Sequence, residues 1–338
     1  MKWMMTLGYA LFLVTATASL LGLNDDERRA TFQSIVSHDR CLIPSHLLEW
    51  IDAQAIHITE FDRAAAKIDI TKGMRKVSKA EKYTIKPATY GRLPEHIDKN
   101  IHIGCIPYDD MRTLRHIPGF YISATDVLTP EQAYIVSEAP MRKTENDFWR
   151  TIIEAKVQAI VALVTKNDDT YWDSSHLPQT VGEWVVERIN EEVVATSPFL
   201  PNQRLIRRTF SATSLHCNCK RLITHLQYEN WPDHGEPEGT LFMKLLSLLE
   251  EDHHSGTKPV LVHCEAGVGR SGTFVAAHSL RLEVQKMSPR SKTSTINIFR
   301  RMLEMRMQRP RMLSQPIQLR AVIAAVQEKA RERSAQDS

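Results

Sequence analysis

An α/β domain is the expectation for this chain. Residues 159–164 and 260–262 form short apolar runs unbroken by charge, as strands buried on both faces do. Helical spacing follows or flanks these runs. Residues 240–250 place Leu241, Leu245, Leu248 and Leu249 on one side, and the second run leads into a helix over residues 271–286. Residues 183–194, 203–210 and 222–228 instead alternate apolar with polar, the pattern of antiparallel strands. With 338 residues the chain can bury a full core as one large domain or two small ones.

From the N-terminus, residues 3–23 carry no charge and Lys2 precedes them. Residues 7–13 are the most apolar part, and Ala16-Thr17-Ala18 has the small side chains of a cleavage site. The run is also long enough to span a bilayer. Residues 1–24 therefore read as a signal peptide or a membrane anchor, with an apolar helix packed on the domain as the third reading. The first two imply a secreted or membrane-anchored protein whose main domain lies outside the producing cell's cytoplasm. Membrane contact would run through residues 3–23.

Residues 25–94 read as an N-terminal helical segment and linker. Ser45 opens a helix over residues 45–51, with Glu49 near capping-box spacing. Residues 61–70 are amphipathic. Residues 72–86 are basic and polar, and read as a linker over the surface. Residues 95–333 form the main domain. Toward its end come helices over residues 296–307, with Ile298, Met302, Leu303 and Met305 apolar, and over 316–331, with Pro316 in the first turn.

The net charge of +3 implies no nucleic-acid partner. Five cysteines, an odd number at irregular spacing, make no disulfide scaffold. His216-Cys217-Asn218-Cys219, with His225 nearby, leaves one residue between its cysteines, too few for a zinc knuckle. No metal or cofactor is expected.

The chemistry concentrates after the second apolar run. Cys264 and Arg270 bracket Glu265-Ala266-Gly267-Val268-Gly269, and a helix follows. A loop of that length can curl its backbone N–H groups onto one centre, where a helix N-terminus adds to the field and a dianion binds. Gly267 and Gly269 permit the tight path. The same field holds a thiolate, making Cys264 nucleophilic at neutral pH. The Arg270 fork can grip two phosphate oxygens. Residues 267–272 also spell G-x-G-x-x-G, the dinucleotide fingerprint, but that reading needs a following strand ending in an acid about twenty residues on. Here the helix runs into Ser288-Pro289-Arg290-Ser291 instead.

His263-Cys264, five residues, then Arg270-Ser271, resembles the signature of the protein tyrosine phosphatases. Trp231-Pro232-Asp233-His234-Gly235 resembles that family's mobile acid loop and lies upstream in the right order. The resemblance covers roughly residues 95–330. It implies a twisted mixed central sheet flanked by helices on both faces. Residues 120–125 and 134–137 would supply strands, and a helix opened by residues 144–149 would run to about residue 156.

It also implies roles. Cys264 would be the nucleophile and Asp233 the general acid and base. The amides of residues 265–270 and the Arg270 fork would bind phosphate. His263 would orient the loop, Ser271 would donate to the departing thiolate, and Asp168 aligns with a carboxylate that orients the arginine. The expected partners are phosphotyrosine-containing proteins.

Three departures from the family pattern stand out. His102 occupies the place of the tyrosine that stacks on the substrate ring, and Gly104 the place of an aspartate that holds the peptide backbone. These open a dual-specificity or phosphoserine/threonine-tolerant phosphatase as an alternative, beside a catalytically weak phosphopeptide-binding module. The family's water-positioning glutamine falls on Ser314, with Gln315 one place later; Gln315 is the expected residue. Finally, Arg300, Arg301, Arg306, Arg309, Arg311 and Arg320 stand against Glu304. They read as a solvated helix face, or as a rim attracting acidic phosphopeptides.

Overall fold

The computed structural model describes residues 23–165, 170–217, 219–252, 258–288 and 290–336. The signal or anchor reading of residues 1–24, but for Leu23 and Asn24, and the role given to Asp168 lie outside them. Helices α1 (Asp25–Arg40), α2 (Ser45–Asp52), α3 (Phe61–Ala65) and α4 (Ile70–Glu81) come first, with the short strand β1 (Ile56–His57) after α2. Strands β2 (Ala124–Leu128) and β3 (Ala133–Glu138), helix α5 (Glu145–Glu154) and strand β4 (Ala159–Ala162) follow. Then come β5 (Gln179–Val181), β6 (Trp184–Thr196), β7 (Arg204–Ser214) and β8 (Lys220–Glu229). The chain ends with α6 (Gly239–Asp252), β9 (Val260–Cys264), α7 (Gly269–Lys286), β10 (Thr295–Ile296), α8 (Ile298–Gln308) and α9 (Pro316–Gln336).

Eight of the strands form one mixed sheet in the order β2-β3-β9-β4-β8-β7-β6-β5. β9 pairs parallel with β3 and β4, and β4 parallel with β8. The remaining pairs are antiparallel. Side chains alternate across the sheet, so each central strand feeds two cores. Val260, Val262 and Cys264 pack with the apolar faces of α6 to α9, while Leu261 packs with Phe148 and Trp149 of α5. Helices thus cover both faces. That cover explains why β3, β4 and β9 are buried at every position.

Three expectations need correction. Residues 72–81 belong to helix α4, not to a linker. Asp69 Oδ1 accepts from Lys72 N at 2.9 Å and caps it, and Met74, Val77 and Ala80 form its buried stripe. Frequent lysines hid that spacing. Gly73 is needed because a Cβ there would meet the Phe299 ring of α8 at 2.0 Å. Second, α2 is capped by Pro44, with no side-chain bond from Ser45. Third, α3 stops at Ala65, short of residue 70.

The N-terminal helices are fastened to the sheet domain. Arg28 donates to the Glu131 carbonyl at 3.1 Å, and Ile43, Leu47, Phe61 and Val77 join the core under α8 and α9. Cys217 and Cys219 pair as a disulfide at the β7–β8 turn, leaving Cys41, Cys105 and Cys264 free. Among the described residues no helix is long and apolar enough to cross a membrane.

Candidate active site

β9 delivers Cys264 to the C-terminal edge of the parallel strands, where the chain turns into α7. The residue is 2% exposed and sits in a cavity of about 1080 Å³ that also takes in Asp233, Arg270, His102 and Gln315.

The turn between strand and helix is held from outside. The Glu265 carbonyl accepts from Ala139 N at 3.3 Å. Arg309 gives its Nη2 to the Ala266 carbonyl at 3.2 Å and its Nε to the Gly267 carbonyl at 2.8 Å. The Val268 carbonyl accepts from Gly272 N at 3.1 Å and Leu313 N at 2.9 Å. In a trans peptide the C=O and the next N–H point opposite ways. Outward carbonyls from Glu265 to Val268 therefore turn the N–H groups of Ala266, Gly267, Val268 and Gly269 inward. Gly267 has φ +67°, and a Cβ there would lie 2.4 Å from the Ser137 carbonyl oxygen. Only glycine fits.

Arg270 is nearly buried, with 6% of its side chain exposed. Its Nη1 donates to the Trp231 carbonyl at 3.2 Å. Its Nη2 donates to Asp233 Oδ1 at 3.2 Å and to Glu265 Oε2 at 3.4 Å. The guanidinium thus joins the loop after β9 to the loop that carries Trp231 and Asp233. Trp231, buried against Tyr228 and Phe242, anchors that loop and gives its Nε1–H to the Gly235 carbonyl at 3.0 Å. Asp233 and Glu265 stay more than half exposed at the rim.

His263 faces away from the cavity's mouth. Its Nε2 lies 2.9 Å from the Tyr171 hydroxyl, which also meets His225 Nε2 at 3.0 Å. Burial, with the Arg270 charge second, pushes the His263 pKa down to about 3, so its ring is neutral in the working range. Ser271, in the first turn of α7, is fully buried, and its hydroxyl has no protein partner.

His102 lines the cavity. Its backbone N–H donates to Glu138 Oε1 at 3.0 Å while Ile101 N–H donates to Oε2 at 2.8 Å, which fixes this loop to β3. Its Nε2 is buried without a partner. Ser314 and Gln315 both line the cavity just before α9. Gln318, wholly buried, lies 3.2 Å from where a Cβ on Gly269 would sit.

The arginine-rich region is only in part a solvated face: Arg311 and Arg320 are exposed, and the other four arginines are not. Arg301 pairs with Glu131 and Glu283, Arg306 with Glu81, and Arg300 with Asp52. Arg309 is fully buried. Arg311 alone of these reaches the cavity with its side chain exposed. Sequence reasoning missed the parts played by Arg309, Tyr171 and Glu138. The Tyr171-Trp172 pair gave a weak aromatic signal, and the other two gave none.

The model of the protein-tyrosine phosphatase family matches residues 96–328. The chain belongs to the protein-tyrosine phosphatase family. Among curated members of the family, tyrosine-protein phosphatase 2 of Dictyostelium discoideum is 36% identical over 203 residues, 58% of this chain and 51% of that protein. Receptor-type tyrosine-protein phosphatase V of Rattus norvegicus is 31% identical over 231 residues, 64% of this chain and 13% of that one. Receptor-type tyrosine-protein phosphatase C of Homo sapiens is 32% identical over 214 residues, 59% and 16% respectively. The chain therefore spans about half of the first relative and under a fifth of the two receptor-type ones.

Proposed function

We propose that the chain hydrolyses phosphotyrosine in proteins by two-step phosphoryl transfer. The Cys264 thiolate attacks phosphorus and the P–O bond to the tyrosine breaks as the S–P bond forms. Asp233 gives its proton to the leaving phenolic oxygen. Water then attacks phosphorus, Asp233 takes back a proton, and the S–P bond breaks to release phosphate and thiolate. Charge on the three equatorial oxygens meets the amides of residues 265–270 and the Arg270 fork. The Ser271 hydroxyl steadies the departing thiolate, His263 orients the loop, and Gln315 positions the water.

The observation that carries this reading is the outward hydrogen bonding of the four loop carbonyls, which turns the N–H groups of residues 266–269 the opposite way. A catalytically weak binding module is disfavoured because Arg270 already bonds Asp233 beside Cys264. The uncharged run over residues 3–23 supports a secreted or anchored protein with this domain outside the producing cell's cytoplasm; the intact mass of the mature protein would test that.

The decisive assay compares wild type with Cys264→Ser on an aryl phosphate and on matched phosphotyrosine and phosphothreonine peptides. Wild type should turn over the aryl phosphate and the phosphotyrosine peptide, and Cys264→Ser neither. Faster release from phosphothreonine would overturn the tyrosine assignment and favour the tolerance suggested by His102 and Gly104.

A further inference from the structure

Helix α4 precedes residues 96–328, the span the family model matches, yet it reaches the catalytic cavity. Its last turn carries Ser78 and Glu81, and both line the cavity wall. Facing them is Arg306 of α8, with 5% of its side chain exposed. Its Nη1 donates to Ser78 Oγ at 3.0 Å and to Glu81 Oε2 at 2.9 Å. Its Nε donates to the Met312 carbonyl at 2.9 Å and its Nη2 to the Leu313 carbonyl at 3.0 Å. The other oxygen of Glu81 accepts from Arg311 N at 3.0 Å. One carboxylate thus holds the segment between α8 and α9 twice. It takes a backbone N–H directly, and it pairs with the guanidinium that grips two of the carbonyls.

That segment needs holding. Arg311 has φ +64° and Leu313 φ +58°, in the left-handed region that side chains rarely adopt. Such backbone persists only where its surroundings over-determine it. Leu313 N also donates to the Val268 carbonyl at 2.9 Å, which ties the segment to the loop after Cys264. Ser314 and Gln315 follow directly and line the cavity. Released from Glu81, Arg311 and Leu313 would relax toward negative φ and carry Ser314 and Gln315 off their present places.

We propose that Glu81 is a positioning residue for the second half of the reaction. Acting through Arg306 and the Arg311 N–H, it keeps Gln315 where that side chain can orient the water that attacks the phosphoenzyme. The proposal rests on the two-step reading above, with Gln315 as the water-positioning residue. A carboxylate suits position 81 because both of its neighbours are donors. A carboxamide has a single acceptor oxygen, and its NH₂ would face a donor.

The test compares wild type with Glu81→Gln and with the double variant Glu81→Gln, Arg311→Gly. Each is mixed rapidly with an aryl phosphate and quenched in acid, so that phenol release and the trapped phosphoenzyme are counted together. Rates are taken per site that releases phenol in the first turnover, which removes any unfolded protein from the comparison. Glu81→Gln should form the phosphoenzyme at the wild-type rate and hydrolyse it at least about tenfold more slowly, since small displacements of a positioning group cost that much. The trapped fraction should rise accordingly. Glycine takes φ +64° readily, so the double variant should recover most of the loss. Amide exchange in Glu81→Gln should quicken at Arg311 and Leu313, with β9 and α7 as in wild type. Unchanged hydrolysis per site, an equal fall in both steps, a double variant as slow as the single one, or exchange that quickens evenly would each overturn the role. A wild type that turns over but traps no phosphoenzyme would instead sink the two-step reading, and the positioning role with it.

Discussion

The Nε of Arg309 donates to the Gly267 carbonyl at 2.8 Å from a fully buried position. Its Nη1 meets Thr125 Oγ1 at 2.9 Å, so one side chain ties the loop after β9 to β2. Arg309→Met would leave the Ala266 and Gly267 carbonyls without donors. Unpaired buried acceptors cost about 1–3 kcal/mol each, so the expected loss of stability is on the order of 3 kcal/mol. Arg309→Lys should not restore it, because a single ammonium cannot reproduce the fork. Urea unfolding and aryl phosphate turnover measured together would check this; unchanged values in both would refute it.

Gly267→Ala puts a methyl group against the Ser137 carbonyl and forces φ +67° on an L-residue. Both ends of that clash are backbone. The expected cost is at least about 2 kcal/mol, with activity lost alongside. Gly119→Ala is the control. Its φ is +71°, but nothing lies within 4 Å of the new carbon. It should cost only about 1 kcal/mol, the conformational part alone. Equal losses at the two positions would show that the contact with Ser137 is relieved by movement.

Asp233→Asn keeps the shape of the acid but cannot deliver a proton. For a substrate with a poor leaving group kcat should fall by about 10²–10⁴. An activated aryl phosphate, whose leaving group needs little protonation, should lose much less. A uniform loss across leaving groups in steady-state kinetics would remove Asp233 from the acid role.

Tyr171→Phe removes the hydroxyl shared by His263 and His225. Two neutral hydrogen bonds are lost, and two buried ring nitrogens lose their partner, for about 2 kcal/mol. Loop orientation should loosen with it, seen as a lower kcat at near-constant KM. A variant as stable and as active as wild type would show the bridge to be dispensable.

The buried imidazoles give a pH signature. His263 is held at about 3 and His225 well below its ordinary value, both chiefly by burial. The unfolded chain protonates histidine near 6.5, whereas these folded rings do not. Their contribution to stability is thus fully present above about pH 6.5; that of His263 is lost as pH falls through about 3, and that of His225 only well below its ordinary value. Imidazole nitrogen shifts followed by NMR should stay those of neutral rings from pH 8 to about 5. A midpoint near 6.5 at either ring would contradict the burial argument.

Much of the site was legible in the sequence because its geometry is local. A loop of five residues between Cys264 and Arg270, with glycine at Gly267 where φ is positive, leaves few conformations open. Strands β4 and β9 were legible because burial on both faces demands unbroken apolar runs. What could not be read depends on the tertiary surroundings. A buried arginine such as Arg309 is spelled like an exposed one, and the cluster around it passed for a solvated surface. Helix α4 escaped because lysines on three sides of a narrow apolar stripe resemble a linker. β2 starts at Ala124, four residues after the extended pattern begins, because ladder pairing with β3 begins only there. The three-residue β5 is too short for any period to register.

The Tyr171 bridge has a direction. Arg208 Nη1 lies 3.4 Å from Nδ1 of His225, and a guanidinium can only give hydrogens. Nδ1 must then accept, so the single hydrogen of neutral His225 sits on Nε2 and is offered to the Tyr171 oxygen. The phenol turns its own hydrogen onto Nε2 of His263, which leaves that ring's hydrogen on Nδ1. A cation on β7, tethered at the protein's edge by Glu191 at 2.6 Å, thereby sets the tautomer of the residue next to Cys264. Neutralising Arg208 would allow the whole row to reverse.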